Sequence, residues 1–242
     1  MAYLTDGYYS DVPAAMAVPS ERVTFLRKTY AHLAIAILAF VGLEYLLIGA
    51  TPIGEQMFSA MVQGGRFGML FLMLAFVGAG YAARAMARSR TSVATQYLGL
   101  ALYVVVEALI FVPIMYVAER SAPHVIGQAG VLTIGLFVGL SAAVLLTKAD
   151  FSWMATGLIV VSWIALAIII AGAFFGGFTL GLWFSGAMIA LAAAYIVYDT
   201  SMILHHYPTS MYVGAALELF AAVALLFFYI LRFALEMNSR RN

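Results

Sequence analysis

The chain has 242 residues, 65% of them hydrophobic and 10% charged, with twelve Lys and Arg against eleven Asp and Glu and no cysteine. Soluble domains run roughly 45–50% apolar and about 25% charged, so this composition and a mean hydropathy of +1.02 exclude a soluble globule. The near-balanced charge leaves no basic stripe for nucleic acid. The missing cysteines exclude disulfides, thiolate metal sites and cysteine nucleophiles.

Residues 1–28 are mixed polar and aromatic, with Asp6, Asp11 and Pro13, and lack a basic stretch followed by an apolar one. They read as a cytoplasmic segment without a cleavable leader. Residues 29–235 read as one membrane domain and 236–242 as a short polar tail. Crossing the hydrocarbon takes ~20 residues per helix, and seven apolar segments meet that length. The first is about Ala31–Ala50, broken only by Glu44, and the second about Phe67–Ala87, with Arg84 in its last turn. The third is about Val93–Ala118 and carries Glu107 and Pro113; the fourth, about Val125–Thr147, is free of charge. From Phe151 to Tyr198 no residue is charged, and Gly176–Gly177 offers the turn that divides this run into a fifth and a sixth helix. The seventh is about Met211–Leu231, with Glu218 inside it and Arg232 after it. Such long unbroken runs exclude the alternating strands of a membrane barrel. The predicted fold is all-α, a seven-transmembrane-helix bundle.

Loop charges set the orientation. With the N-terminus in the cytoplasm, that side collects Arg22, Arg27, Lys28, Arg84, Arg88, Arg90 and Lys148. The opposite side keeps Arg66 and Arg120, together with the tail residues Arg232, Arg240 and Arg241, which six crossings with a re-entrant seventh segment would instead leave inside. Glycines four apart, Gly135 with Gly139 and Gly177 with Gly181, are candidates for close helix contacts in lipid.

Four carboxylates fall inside the apolar segments: Glu44, Glu107, Asp199 and Glu218. A charge at bilayer depth costs at least ~2.5–3.5 kcal/mol, so each needs a partner, a wet cavity or an ion to justify it. At ~1.5 Å per residue, Asp199 lies near the inner end, Glu218 about 10 Å in, and Glu44 and Glu107 about 20 Å in. Staggered acids of this kind outline a cation or proton path. Glu44 and Glu107 also fit a plainer role as protonated hydrogen-bonding residues between helices. His205 and His206 fall in the short loop before Tyr207-Pro208, where adjacent side chains diverge and do not make a metal site. No GxSxG, HExxH, P-loop or dinucleotide fingerprint occurs, and Asp199 has no aspartyl partner for intramembrane proteolysis. The chain does not read as an enzyme and implies no bound cofactor.

Several stretches carry a resemblance: Ala194-Tyr195-Ile196-Val197-Tyr198-Asp199-Thr200, Gly214-Ala215-Ala216-Leu217-Glu218-Leu219-Phe220 and Phe228-Tyr229-Ile230-Leu231-Arg232. Leu146-Thr147-Lys148-Ala149-Asp150-Phe151-Ser152 and the third helix with Glu107 and Pro113 extend it. Together they resemble the Bax inhibitor-1 family, in its bacterial form. That resemblance implies a seven-helix bundle with the last helix central, in the inner (plasma) membrane. It implies a calcium-permeable leak gated by protonation of two aspartates on the sixth and seventh helices, with a basic latch on the second. Asp199 matches the first aspartate, and Arg84 or Arg88 the latch. Ala222 stands where the second aspartate belongs, and Glu218 is the nearest acid, one turn earlier. Residues four apart share a helix face, so Glu218 either offers a shifted carboxylate to the same crevice or is a different device. Two carboxylates supply too few oxygens for tight calcium binding, so any site at Asp199 and Glu218 is weak and transient. The expected partners are the bilayer and calcium or protons. The competing class is a non-conducting regulator that binds a membrane protease or a stress-response protein.

Overall fold

A computed structural model describes residues 12–89, 92–175 and 181–240, with backbone alone at 61, 66–76 and 173–175. Eight α-helices follow in order: α1 (Pro19–Glu44), α2 (Ile53–Gln63), α3 (Gly65–Ala87), α4 (Val93–Ser121), α5 (Pro123–Thr147), α6 (Ala155–Phe175), α7 (Leu182–His205) and α8 (Tyr212–Ser239). A π turn, Tyr45–Ala50, continues α1, and a 3-10 turn, Ser152–Met154, leads into α6.

The helix ends follow local chemistry. Proline opens α1 and α5, where its missing N–H costs nothing. Ser92 caps α4, its Oγ accepting from the Thr95 N–H at 3.3 Å. Lys148 adopts a left-handed conformation, φ 53°, to end α5. Asp150 then accepts from the Ser152 N–H at 2.9 Å, a bond that holds its carboxyl below the usual aspartate range.

The expected seven-helix bundle with a central last helix does not stand. Among the described residues there are eight α-helices, and six helical stretches are long and apolar enough to cross a membrane. These are Pro19–Ala50, Val93–Ser121, Pro123–Thr147, Ser152–Gly172, Leu182–His205 and Tyr212–Ser239. The extra helix, α2, spans a stretch of mixed polarity after Pro52 that a search for long apolar runs passes over. The expected second segment, Phe67–Ala87, lies within α3, which abuts α2 through Gly65 at φ 57° and is not one of the six. The Gly176–Gly177 turn falls outside the described residues, as does Gly177 of the second glycine pair.

Burial separates α8 from its neighbours. Its most apolar window is 83% buried, against 11–44% for the other spans. Small residues make this possible: Gly214, Ala215, Ala216, Ala221, Ala222 and Ala224 let α7, α1, α5, α4 and α3 pack against it. A ring cluster locks three helices together. Phe40 of α1 meets Phe111 of α4 edge-on at 5.0 Å and Phe220 of α8 at 6.0 Å, and Phe111 meets Phe228 at 5.4 Å. Such pairs contribute about 0.5–1.5 kcal/mol each beyond their buried area. By contrast α6 turns Ile159, Val160, Val161, Trp163 and Ile164 outward, the face a lipid-contacting helix needs.

One end of the bundle gathers the start of α1, the start of α4 and the α7–α8 loop. Lys28 lies 5.0 Å over the Tyr212 ring, His32 Nε2 hydrogen-bonds the Tyr97 hydroxyl at 2.8 Å, and the Ala14 N–H donates to the Tyr207 carbonyl at 3.0 Å. The Ser201 hydroxyl accepts from the Phe151 N–H at 2.8 Å, which brings the α5–α6 connection to the same end. This order sets a topology prediction. Reporters fused after Ser89 and after Lys148 should read the same side of the membrane, and reporters after Ser121 and after Ser239 the other. Agreement of the Ser239 reporter with the Lys148 reporter would contradict it.

Candidate functional site

Two glycines position the site. A Cβ on Gly99 of α4 would come within 2.5 Å of the Ala87 nitrogen and 2.7 Å of the Ala83 oxygen. One on Gly214 of α8 would come within 2.8 Å of the Ala87 oxygen. Only glycine lets the last turn of α3 press its backbone against both helices. That turn carries Arg84 and Arg88, so both guanidinium groups are delivered to the first turns of α8.

There they converge on one carboxylate. Arg84 Nη1 lies 3.0 Å from Glu218 Oε2, and Arg88 Nη2 lies 2.8 Å from Oε1, with Arg88 Nε donating to Oε1 at 3.0 Å. The Glu218 side chain is 8% exposed, whereas those of Arg84 and Arg88 are 40% and 57% exposed. The anion is the buried member and the cations reach it from the rim. Arg84 Nη2 also donates to the Tyr103 hydroxyl at 3.1 Å, and its guanidinium sits 5.3 Å above that ring.

Asp199 of α7 faces the same point, with Glu218, Arg84 and Arg88 as its electrostatic neighbours. Glu107 of α4 joins at the edge through Tyr103 and Arg84. Tyr207, in the α7–α8 loop, lies within electrostatic range of Glu218, Arg88, Asp199 and Arg84, and burial pushes its hydroxyl above the usual tyrosine range. Tyr198 of α7 lies within electrostatic range of Asp199, Arg88 and Glu218. The inner cluster thus sets two guanidinium groups, Arg84 and Arg88, with two carboxyl groups, Asp199 and Glu218.

Of the residues singled out from sequence, Asp199, Glu218, Glu107, Arg84 and Arg88 come together, and both arginines engage Glu218. Glu44 does not join them. It shares a cavity with Val223, Ala224 and Phe227, five to nine residues beyond Glu218 on α8, or roughly 8–14 Å along the helix. Ala222 is 3% exposed, a small buried residue within α8. His205 Nδ1 bonds the Ser201 carbonyl at 3.0 Å, and the His205 and His206 rings stand 6.4 Å apart.

Sequence reasoning missed Tyr103 and Tyr207. Tyr103 carries a signal in hindsight, since it precedes Glu107 by one helical turn. The glycine reading also moves. A Cβ at Gly135 or Gly139 meets nothing within 4 Å, so those two are not close-packing positions, and Gly99 and Gly214 are. Among the described residues no group of three or more His, Asp or Glu is placed to hold a metal ion.

The family described as Inhibitor of apoptosis-promoting Bax1 matches residues 22–242. The chain is 27% identical to the Golgi anti-apoptotic protein of Vaccinia virus (strain Lister) over 241 residues, 98% of this chain and 95% of that protein. It is 29% identical to Bax inhibitor 1 of Schizosaccharomyces pombe over 98% of this chain and 85% of the relative. It is 27% identical to an uncharacterized protein of Pseudomonas aeruginosa over 90% and 92%. No solved structure matches. The chain belongs to the Bax inhibitor-1 family of multi-pass membrane proteins, whose matched members come from eukaryotes, viruses and bacteria.

Proposed function

We propose that the protein is a cation leak, calcium being its main ion, held closed at neutral pH by the clamp of Arg84 and Arg88 on Glu218 and opened by protonation. The observation that carries this reading is a single buried carboxylate shared by two arginines from another helix, with Asp199 beside it. An ionised carboxylate accepts from both guanidinium groups at once. A protonated one carries no charge and loses its strong pairs. With the acids of the cluster protonated, Arg84 and Arg88 would stand together without a matching charge, and like charges would drive the end of α3 away from α8. Glu218 in this reading stands in for the aspartate absent at Ala222, and Asp199 is its partner acid. Glu107, reached through Tyr103, lines the path behind them, and two carboxylates hold calcium only in passing. Membership of a family with bacterial relatives and the loop charges support a bacterial inner membrane, with the cluster and N-terminus on the cytoplasmic side.

Purified protein in liposomes loaded with a calcium-sensitive dye tests it. Calcium entry should rise as the pH on the cluster side falls from neutral to mildly acidic, and Asp199→Asn should flatten that response. A dye silent at every pH would overturn the leak and favour a non-conducting protein that binds a membrane partner.

A further inference from the structure

Glu44 lies outside the arginine cluster, and the leak reading leaves its surroundings unused. It closes α1 where the helix widens into the π turn Tyr45–Ala50, a distortion found mostly at functional positions. The residue is 3% exposed, and neither carboxylate oxygen has a hydrogen-bond partner among the described residues. An acceptor pair buried in hydrocarbon without a donor is strongly unfavourable. Glu44 is one of the residues that line a cavity of about 400 Å³ between α1, α4, α5 and α8.

The rest of that wall is almost wholly apolar, with Phe40, Met115, Ile126, Phe220 and Phe227. The cavity's polar side chains are Glu44, Tyr45, Glu119 and Thr133, and Tyr45 is 73% exposed. Thr133 spends its hydroxyl on the Ala129 carbonyl at 2.7 Å, and Glu119 adds a second carboxylate at the exposed rim. Among the described residues no Lys, Arg or His lines the cavity. The nearby Arg120 lies 3.7 Å from Glu55 and 4.5 Å over the Tyr116 ring. Val41 and Ile134, both more than half exposed, flank the opening. The cavity therefore opens between α1 and α5, and its lining reaches the end of the bundle where Glu119 lies in the last turn of α4.

We propose that this cavity is a binding site for a lipophilic amine, its apolar body in the groove between α1 and α5 and its ammonium donating to Glu44. The chemistry selects this class. An ammonium brings the charge and up to three N–H donors that two orphaned acceptors require. An alcohol satisfies one oxygen at most, and an anion meets two carboxylates of its own sign. A volume near the small end of ligand pockets, roughly 300–1,000 Å³, suits a single chain or a compact ring system rather than a two-chain lipid. The amine could arrive free or as the head group of a membrane lipid; the ammonium is the shared chemistry.

Radiolabelled dodecylamine, added to the protein in phosphatidylcholine nanodiscs, should bind saturably above the level of empty discs. Glu44→Gln should weaken that binding roughly 10- to 100-fold, the range for losing hydrogen bonds to a charged group. Gly130→Phe fills the cavity without altering Glu44. Gly130 lines the cavity and a Cβ there meets nothing within 4 Å, so this variant should fold and should also lose the site. Dodecanol and dodecanoate should compete poorly. Displacement by lysophosphatidylethanolamine, which has one chain, would assign the site to a bilayer amino lipid, and no displacement would assign it to a free amine. Unchanged binding in Gly130→Phe, or dodecanol competing as well as dodecylamine, would overturn the proposal.

Discussion

Glu218→Gln should make calcium entry insensitive to pH while leaving the fold nearly as stable as the parent. Both guanidinium side chains are more than a third exposed, so water screens what they lose and the stability cost stays near 1 kcal/mol. The gating cost is larger in its consequences. An amide keeps one acceptor but no charge, so it mimics permanent protonation and leaves the last turn of α3 unclamped. Entry at neutral pH should rise about tenfold, equivalent to ~1.4 kcal/mol on the closed state. Asp199→Asn should lose the same response, and combining the two should add little, because residues in one network are not additive. Restoring an acid one turn along, as Glu218→Ala with Ala222→Asp, should recover part of the response. Arg84 lies deeper along α8 than Arg88, its partner Tyr103 contacting Phe220 at 6.1 Å, so the relocated acid should regain Arg84 more readily than Arg88. The idea fails if Glu218→Gln conducts like the parent at all pH values while Asp199→Asn does not.

Gly214→Val should open the same clamp from the other side of the contact. Its branched side chain cannot fit where even a Cβ would lie 2.8 Å from the Ala87 carbonyl. Either α3 moves away or α8 bends, and overpacking of this kind costs about 1–3 kcal/mol. Arg84 and Arg88 travel with Ala87, so their pairs with Glu218 should break without any change in charge. The expected result is lower thermal stability together with raised calcium entry at neutral pH. Gly139→Val is the control. No atom lies within 4 Å of a Cβ there, and its effect should stay within about 0.5 kcal/mol. Equal effects in the two variants would show that α3 does not dock through Gly214.

Those two glycines also mark where sequence reading stopped. Spacing proposed Gly135 with Gly139, because a four-residue repeat is visible within one helix. The contact that matters joins Gly99, Ala87 and Gly214 across three helices, and no local period encodes it. Long apolar runs located the helices α4 to α8 closely, since lipid exposure demands them. They passed over α2, whose Glu55 and Gln63 dilute the signal, and they supported a count of seven that the helical segments do not keep. The carboxylates stood out because charge is costly in hydrocarbon. Their grouping did not, for Glu44 and Glu107 sit at similar depth on paper yet only Glu107 comes within electrostatic range of Arg84. Tyr103 and Tyr207 escaped notice because a tyrosine in an aromatic-rich chain is unremarked until its hydroxyl is seen beside a charge.

The central claim is that α3 is held to the bundle by Arg84 and Arg88 on Glu218 and released by protons. The chain has no cysteine of its own, so spin labels can be placed at will. Tyr81→Cys on α3 and Leu146→Cys at the end of α5 are both highly exposed and stand outside the cluster. Pulsed electron paramagnetic resonance between them, in liposomes, should give one distance at neutral pH and a second, shifted population as the pH falls. With Glu218→Gln the shifted population should be present at every pH. A single distance that does not move with pH, in a protein whose calcium entry does, would contradict the account.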